Sequence, residues 1–122
     1  MAILGFHFSG VYKEVLLNGT KTATILDGEH YFKIGQEVLV YLSDKLNLFD
    51  GNIERRIGKA VIKKVEIKRV KDLTELEAKL CGSKNLEELK NALKKWYNSD
   101  ENSIITYVKF NLTLKNKRLS LL

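Results

Sequence analysis

The densest chemistry in the chain lies in Gly19-Thr20-Lys21-Thr22-Ala23-Thr24, where three hydroxyls and one ammonium fall within five residues. Side chains two apart on a strand share a face, so Thr22 and Thr24 are expected on one side. Lys21, at the junction of loop and strand, would lean over them. Such a cluster offers donors to a carbonyl, a carboxylate or a phosphate. Among apolar walls the Lys21 amine would hold its proton less firmly and could act as base or nucleophile. The competing reading of the same residues is an exposed lysine beside threonines that merely favour strand.

Other chemistry is thin. No G-x-x-x-x-G-K-[ST] loop, no G-x-G-x-x-G after a strand and no G-x-S-x-G elbow occurs. His7 and His30 lack sequence partners for a triad, and His7 reads as a structural strand residue. Cys81, before Gly82 at a helix end, reads as packing. One cysteine cannot form an internal disulfide, and with two histidines it falls short of a four-ligand zinc set. No metal and no cofactor is expected.

Charge is unevenly placed. Residues 1–52 hold four lysines against six acids, net −2, whereas residues 53–122 hold 17 basic against nine acidic residues, net +8. A band of Arg55, Arg56, Lys59, Lys63, Lys64, Lys68, Arg69 and Lys71 places eight cations in 17 positions beside one acid, Glu66. Interleaved Val61, Ile62, Val65 and Ile67 put the band on a sheet with a packed face. Phosphates would be its natural partners. Tyr31, Tyr41 and Phe49 are candidate base-stacking rings. The alternative is a basic strand whose lysines blunt a sheet edge.

The elements that must position these residues follow from pattern. Ile3–Phe8 reads as a buried strand, Ser9 as an N-cap, and 9–18 as a helix stopped by Asn18-Gly19. A strand should run from Thr20 to Leu26 and another from Glu37 to Leu42, with a loop at Asp50-Gly51-Asn52. Gly58–Val70 is long and β-branched, and its alternation slips partway, which predicts a bulge. Asp72 with Glu75 and Asn85 with Glu88 read as helix caps. Leu73, Leu76 and Leu80 mark one short helix; Leu86, Leu89, Leu93 and Trp96 mark a second stripe, read as core. Ile104–Leu114 closes the chain, with Val108, Phe110, Leu112 and Leu114 on one face. The order β-α-β-β-β-α-α-β predicts an α+β domain on a small, mixed, partly closed barrel with three helices at its side and ends. At 122 residues one domain is expected. No apolar run is long enough to span a membrane, and the first residues lack a basic leader, so a cytoplasmic setting is expected.

Leu17–Thr24 resembles the signature of the ASCH domain, a branch of the PUA-like superfold, which shows G-x-K-x-x-T-x-R after its first helix. Phe32–Leu39 is similar to that family's F-K-x-G-D-x-L turn into a strand. Asp72–Glu75 and Leu86–Lys90 resemble its helical insert, and Thr106–Phe110 its closing strand. The resemblance implies a PUA-like barrel whose cleft is lined by Gly19, Lys21, Thr22 and Thr24, with RNA or a modified nucleoside or nucleotide as partner. Some small ASCH proteins instead hydrolyse the amide of N-acetylated cytidine with a lysine, a threonine and a later glutamate; Lys21 and Thr24 match the first two. Leu26 stands where the motif has arginine, and the glutamate position falls on Gly82 or, with a one-residue shift, Cys81. The expected function is therefore an RNA- or nucleotide-binding module, with an amidohydrolase of acylated nucleosides as the first alternative and a protein-interaction module as the second.

Overall fold

The computed structural model describes residues 5–43 and 54–114. The residues Ile3 and Leu4 of the expected first strand, Phe49, and the loop signal at 50–52 lie outside that range. Five strands form one mixed sheet: β1 (Gly5–Phe8), β2 (Ala23–Asp27), β3 (Glu37–Ser43), β4 (Glu54–Arg69) and β5 (Ile104–Leu114), in the order β1-β3-β4-β5-β2. β1 runs parallel to β3; every other pair is antiparallel. The sheet curls into a half-barrel of PUA-like form. Its helices are α1 (Lys13–Leu17), α2 (Glu75–Leu80) and α3 (Leu86–Tyr97). No helix among the described residues is long and apolar enough to cross a membrane.

The slip of alternation in β4 is a bulge. Its register against β5 shifts between Ile62 and Lys64, which leaves Lys63 as the inserted residue. Buried Ile62 thus gives way to two consecutive exposed lysines. β4 is no edge strand as a whole: it pairs β3 over Glu54–Val61 and β5 over Gly58–Arg69. Lys59, paired with Leu39 on β3 and with Thr113 on β5, therefore lies on no edge, and edge blunting does not account for it. Where the three strands cross, backbones approach closely. A Cβ on Gly58 would sit 2.2 Å from the carbonyl oxygen of Thr113, so only glycine fits.

Two apolar clusters hold the fold. One fills the concave side with Phe6, Phe8, Val40, Ile62, Val108 and Phe110. The other lies between the sheet and the α2–α3 pair and contains Ile25, Leu73, Leu89, Leu93, Ile105 and Tyr107. β5 serves both, because Val108 and Phe110 face the first cluster while Ile105 and Tyr107 face the second.

The helix starts differ from expectation. The segment 9–18 splits into a 3-10 turn at Gly10–Tyr12 and the single α turn and a half of α1. Ser9 does cap it, accepting from the Val11 amide. A second 3-10 turn at Val70–Asp72, followed by extended Leu73, takes up the residues read as an Asp72 cap. The N-cap is Thr74: its hydroxyl accepts from the Glu77 amide, and the Glu77 carboxylate accepts from the Thr74 amide. Glu75 instead accepts from the Leu86 amide and ties α2 to α3. Leu76, one of the three leucines read as marking this helix, is 66% exposed. Asn85 caps α3 as expected, though Glu88 reaches back to the Lys84 amide rather than to Asn85.

Candidate functional site

β1 and β2 are the two ends of the strand order, so a seam stays open between them. A cavity of about 300 Å³ lies there, bordered by His7 and Phe8 from β1, Thr24 and Ile25 from β2, and α3. Lys21 and Thr24 both line it, which brings together the two residues that the resemblance matches to the family's lysine and threonine.

Lys21 reaches the cavity because Gly19, with φ +82°, turns the chain sharply after α1. The Lys21 amide is then held by the Val15 carbonyl at 2.8 Å. Its side chain is only 4% exposed. The ammonium donates to the main-chain carbonyls of Ala23 at 2.8 Å and Cys81 at 2.7 Å. It also lies over the rings of Tyr12 and Phe8, 4.7 and 5.2 Å from their centroids. Burial lowers its pKa to about 8, only slightly opposed by the nearby Cys81 thiol. Among the described residues no carboxylate forms an ion pair with it. That is why burial wins: neutral carbonyls orient an ammonium but stabilise it far less than a carboxylate would.

The remaining walls are largely aromatic. Tyr12 meets Trp96 edge to face at 5.8 Å, and Tyr97 borders the same space. Trp96 is 48% exposed and stands at the mouth. Burial pushes the Tyr12 phenol up to about 12, with smaller contributions from Cys81, Tyr97 and Glu88. Burial likewise raises the Cys81 thiol to about 11, so it is no thiolate at neutral pH.

Several expected site residues go elsewhere. β2 begins at Ala23, so Thr22 precedes it; its amide donates to Leu80 and its carbonyl accepts from Phe110. Thr22 and Gly19 border a second depression together with Lys21, Asn111 and Leu112; Thr24 does not border it, so Thr22 and Thr24 do not share a wall. Tyr41 stacks on His7 at 4.9 Å and Tyr31 stands 77% exposed; neither lines the cavity, and Phe49 lies outside the described residues. The cavity's own rings come from His7, Phe8, Tyr12, Trp96 and Tyr97. The α3 stripe read as core is in part a cavity wall, since Leu89, Leu93 and Trp96 all border it. A helical period marks a face turned inward, and cannot tell a filled interior from a hollow one.

The basic band divides. Arg55, Arg56, Lys59, Lys63, Lys64, Arg69 and Lys71 are exposed. Lys68 is not available: both Glu77 oxygens accept from it at 2.8 and 3.0 Å, Glu66 lies at 3.7 Å, and the ammonium sits over the Tyr107 ring. Register adds a cation that the linear reading missed. Lys109 on β5 lies opposite Lys64, and Lys59 lies opposite Thr113, two pairs along on the same face. Arg56 lies opposite Tyr41, which shares the face of Leu39, the β3 partner of Lys59. Arg56, Lys59, Lys64 and Lys109 thus occupy one side of the sheet, beside the His7–Tyr41 stack.

No protein-family model matches the chain, and no curated protein is significantly similar to it. Solved structures are. The ASCH domain from Lactobacillus crispatus JV V101 is similar with a TM-score of 0.65 at 17% identity, over 90% of this chain and 82% of that one. A protein of Enterococcus faecalis V583, described under the family DUF984, gives a TM-score of 0.60 at 15% identity over 93% and 83%. The chain has the fold of an ASCH domain. Within that ASCH fold, Gly82, the counted glutamate position, adjoins the motif lysine: a Cβ there would lie 3.5 Å from Lys21 Cδ. The position therefore faces the lysine but carries no acid, and its φ of +92° favours glycine. The carbonyl of Cys81 occupies the role of hydrogen-bond partner to the amine. Leu26, at the motif's arginine position, packs half-buried against the first cluster instead of lining the cavity.

Proposed function

We propose that this chain is a binding module for RNA or a nucleotide, taking a base into the seam cavity and phosphates on the basic sheet face. The observation that carries the reading is the buried Lys21 ammonium, which shares an aromatic-walled cavity with Thr24. Two of its N–H groups are committed to Ala23 and Cys81, leaving the third for a guest's carbonyl or ring acceptor. Trp96 at the mouth offers a flat apolar surface to a base. Arg56, Lys59, Lys63, Lys64 and Lys109 would track the backbone; Lys68 is left out because Glu77 neutralises it.

The test is fluorescence anisotropy of a labelled single-stranded RNA at about 50 and 200 mM salt, conditions over which phosphate contacts weaken binding by orders of magnitude. The reading expects affinity at low salt that falls steeply with salt and falls further in Lys59→Ala/Lys64→Ala. Absence of binding at low salt would defeat it.

A second reading, amide hydrolysis of an N-acylated cytidine, is favoured by Lys21 and Thr24 sharing one cavity. It is opposed by Gly82 at the position of the acid, whose loss commonly costs about 10²–10⁴ in rate. Release of acetate from acetylcytidine, abolished in Lys21→Met, is the result that would promote it.

A further inference from the structure

We propose that Lys21 is a carbonyl-capturing nucleophile, whose amine condenses with a single-ring aromatic aldehyde entering the seam cavity. The proposal uses the same cavity as the nucleotide reading and does not depend on that ligand.

The stereochemistry of the nitrogen carries it. An amine nitrogen has four tetrahedral positions. One is the bond to Cε. Two are N–H groups held by the Ala23 and Cys81 carbonyls at 2.8 and 2.7 Å. When the amine is neutral, the fourth position is its lone pair. By elimination that position is left for the side of the Phe8 and Tyr12 rings, whose centroids lie 5.2 and 4.7 Å away and whose residues line the cavity. The carbonyls thus fix the amine from behind and present its nucleophilic side to a guest.

Three further features agree. Among the described residues no carboxylate pairs with Lys21 to hold its proton, and burial makes the free base abundant at mildly alkaline pH. The walls supplied by Phe8, Tyr12, Trp96 and Tyr97 suit a planar ring. Thr24 and Ser9 hydroxyls and the Tyr12 phenol, which burial keeps protonated, border the same space and can relay protons.

The step balances without a co-reactant. The lone pair attacks the aldehyde carbon, forming C–N while the carbonyl π pair moves to oxygen. A proton passes from nitrogen to that oxygen and gives a carbinolamine. A second proton transfer lets the C–O bond break, water leaves, and the nitrogen lone pair closes the C=N bond of the imine.

The test treats the full chain with one equivalent of benzaldehyde and cyanoborohydride at pH 7.5, then locates benzylated lysines by mass spectrometry after cleavage at acidic residues. Lys59 and Lys109, both exposed, serve as internal references. Lys21 is expected to react at least about tenfold faster than either, because the Ala23 and Cys81 carbonyls hold its amine in place beside the cavity and burial favours its free base, and to lose that lead in denaturing urea. Modification of Lys21 no faster than Lys59 and Lys109 would overturn the proposal. The RNA titration contains no aldehyde, so failure here leaves the binding reading to its own experiment.

Discussion

The ammonium of Lys21 donates to the main-chain carbonyl of Cys81 across 2.7 Å, joining the entry of β2 to the end of α2. A charged group bound only to carbonyls and rings inside the protein is stabilised incompletely, and its ionisation must then be linked to folding.

The sign of that linkage is definite. Burial lowers the Lys21 pKa from 10.5 to about 8, while the unfolded chain keeps its proton to about 10.5. Between those values the unfolded state binds more protons, so Lys21 makes the protein more stable as pH rises from 8 to 10.5. Below pH 8 the charged form carries the full desolvation penalty. Thermal melts of wild type and Lys21→Met from pH 7 to 10 should show wild type gaining relative to the variant, by up to roughly 3 kcal/mol across the window. Tyrosines such as Tyr12, whose raised pKa works in the opposite direction above pH 10, are common to both proteins and cancel. Parallel curves would mean that Lys21 keeps an ordinary pKa.

Lys68 and Lys64 share one strand but predict separable effects. Lys68 is tethered to Glu77 in a pair whose side chains are 16% and 12% exposed. Lys68→Ala should cost about 1–3 kcal/mol of stability by leaving Glu77 partly buried and unpaired, with little change in RNA affinity at temperatures where it stays folded. Lys64→Ala should leave the urea midpoint nearly unmoved and reduce the salt dependence of binding by about one phosphate contact. Denaturation and anisotropy on the same two variants read both quantities; the reverse pattern would place the nucleic-acid face elsewhere.

Gly58→Ala tests the crossing of β4 with its neighbours. The new methyl would meet the Thr113 carbonyl at 2.2 Å, a backbone atom that cannot swing aside. Overpacking of this kind costs about 1–3 kcal/mol or more, and should appear as a lower urea midpoint with an unchanged slope.

Part of this was legible in the residues themselves. The slip of alternation near Ile62 announced the bulge, because one inserted residue reverses which side chains face inward. The half-buried strand β5 alternates over Val108–Leu114 and was readable for the same reason. Lys21 and Thr24 were legible as a pair through the family resemblance, but not the separation of Thr22, which depends on β2 starting at Ala23, three residues later than expected. Lys109 stands alone in sequence and joins Lys64 only through cross-strand register. Thr74 lost out to Asp72 as the expected cap because the 3-10 turn at Val70–Asp72 is set by contacts with Glu101 and Ser103, 30 residues on. Trp96 looked like core since a stripe records which side faces inward and says nothing of how well the interior is filled.

Thr24→Val probes the second half of the motif. It keeps shape and removes the hydroxyl, so the cavity should persist while a polar guest loses one hydrogen bond, about 0.5–1.5 kcal/mol or a few-fold in affinity. Equal affinity in a folded variant would remove Thr24 from the guest's contacts.

Trp96 is the only tryptophan in the chain and stands half-exposed at the cavity mouth, so its fluorescence reports directly on what enters. The decisive measurement is a titration of wild type and Lys21→Met with nucleosides and short single-stranded RNA, following that emission. A saturable change in wild type, weakened at least about tenfold in Lys21→Met as expected for loss of a buried charge-assisted hydrogen bond, is the predicted result. Emission that stays constant through the titration, or changes identically in the two proteins, would contradict a guest site built on Lys21.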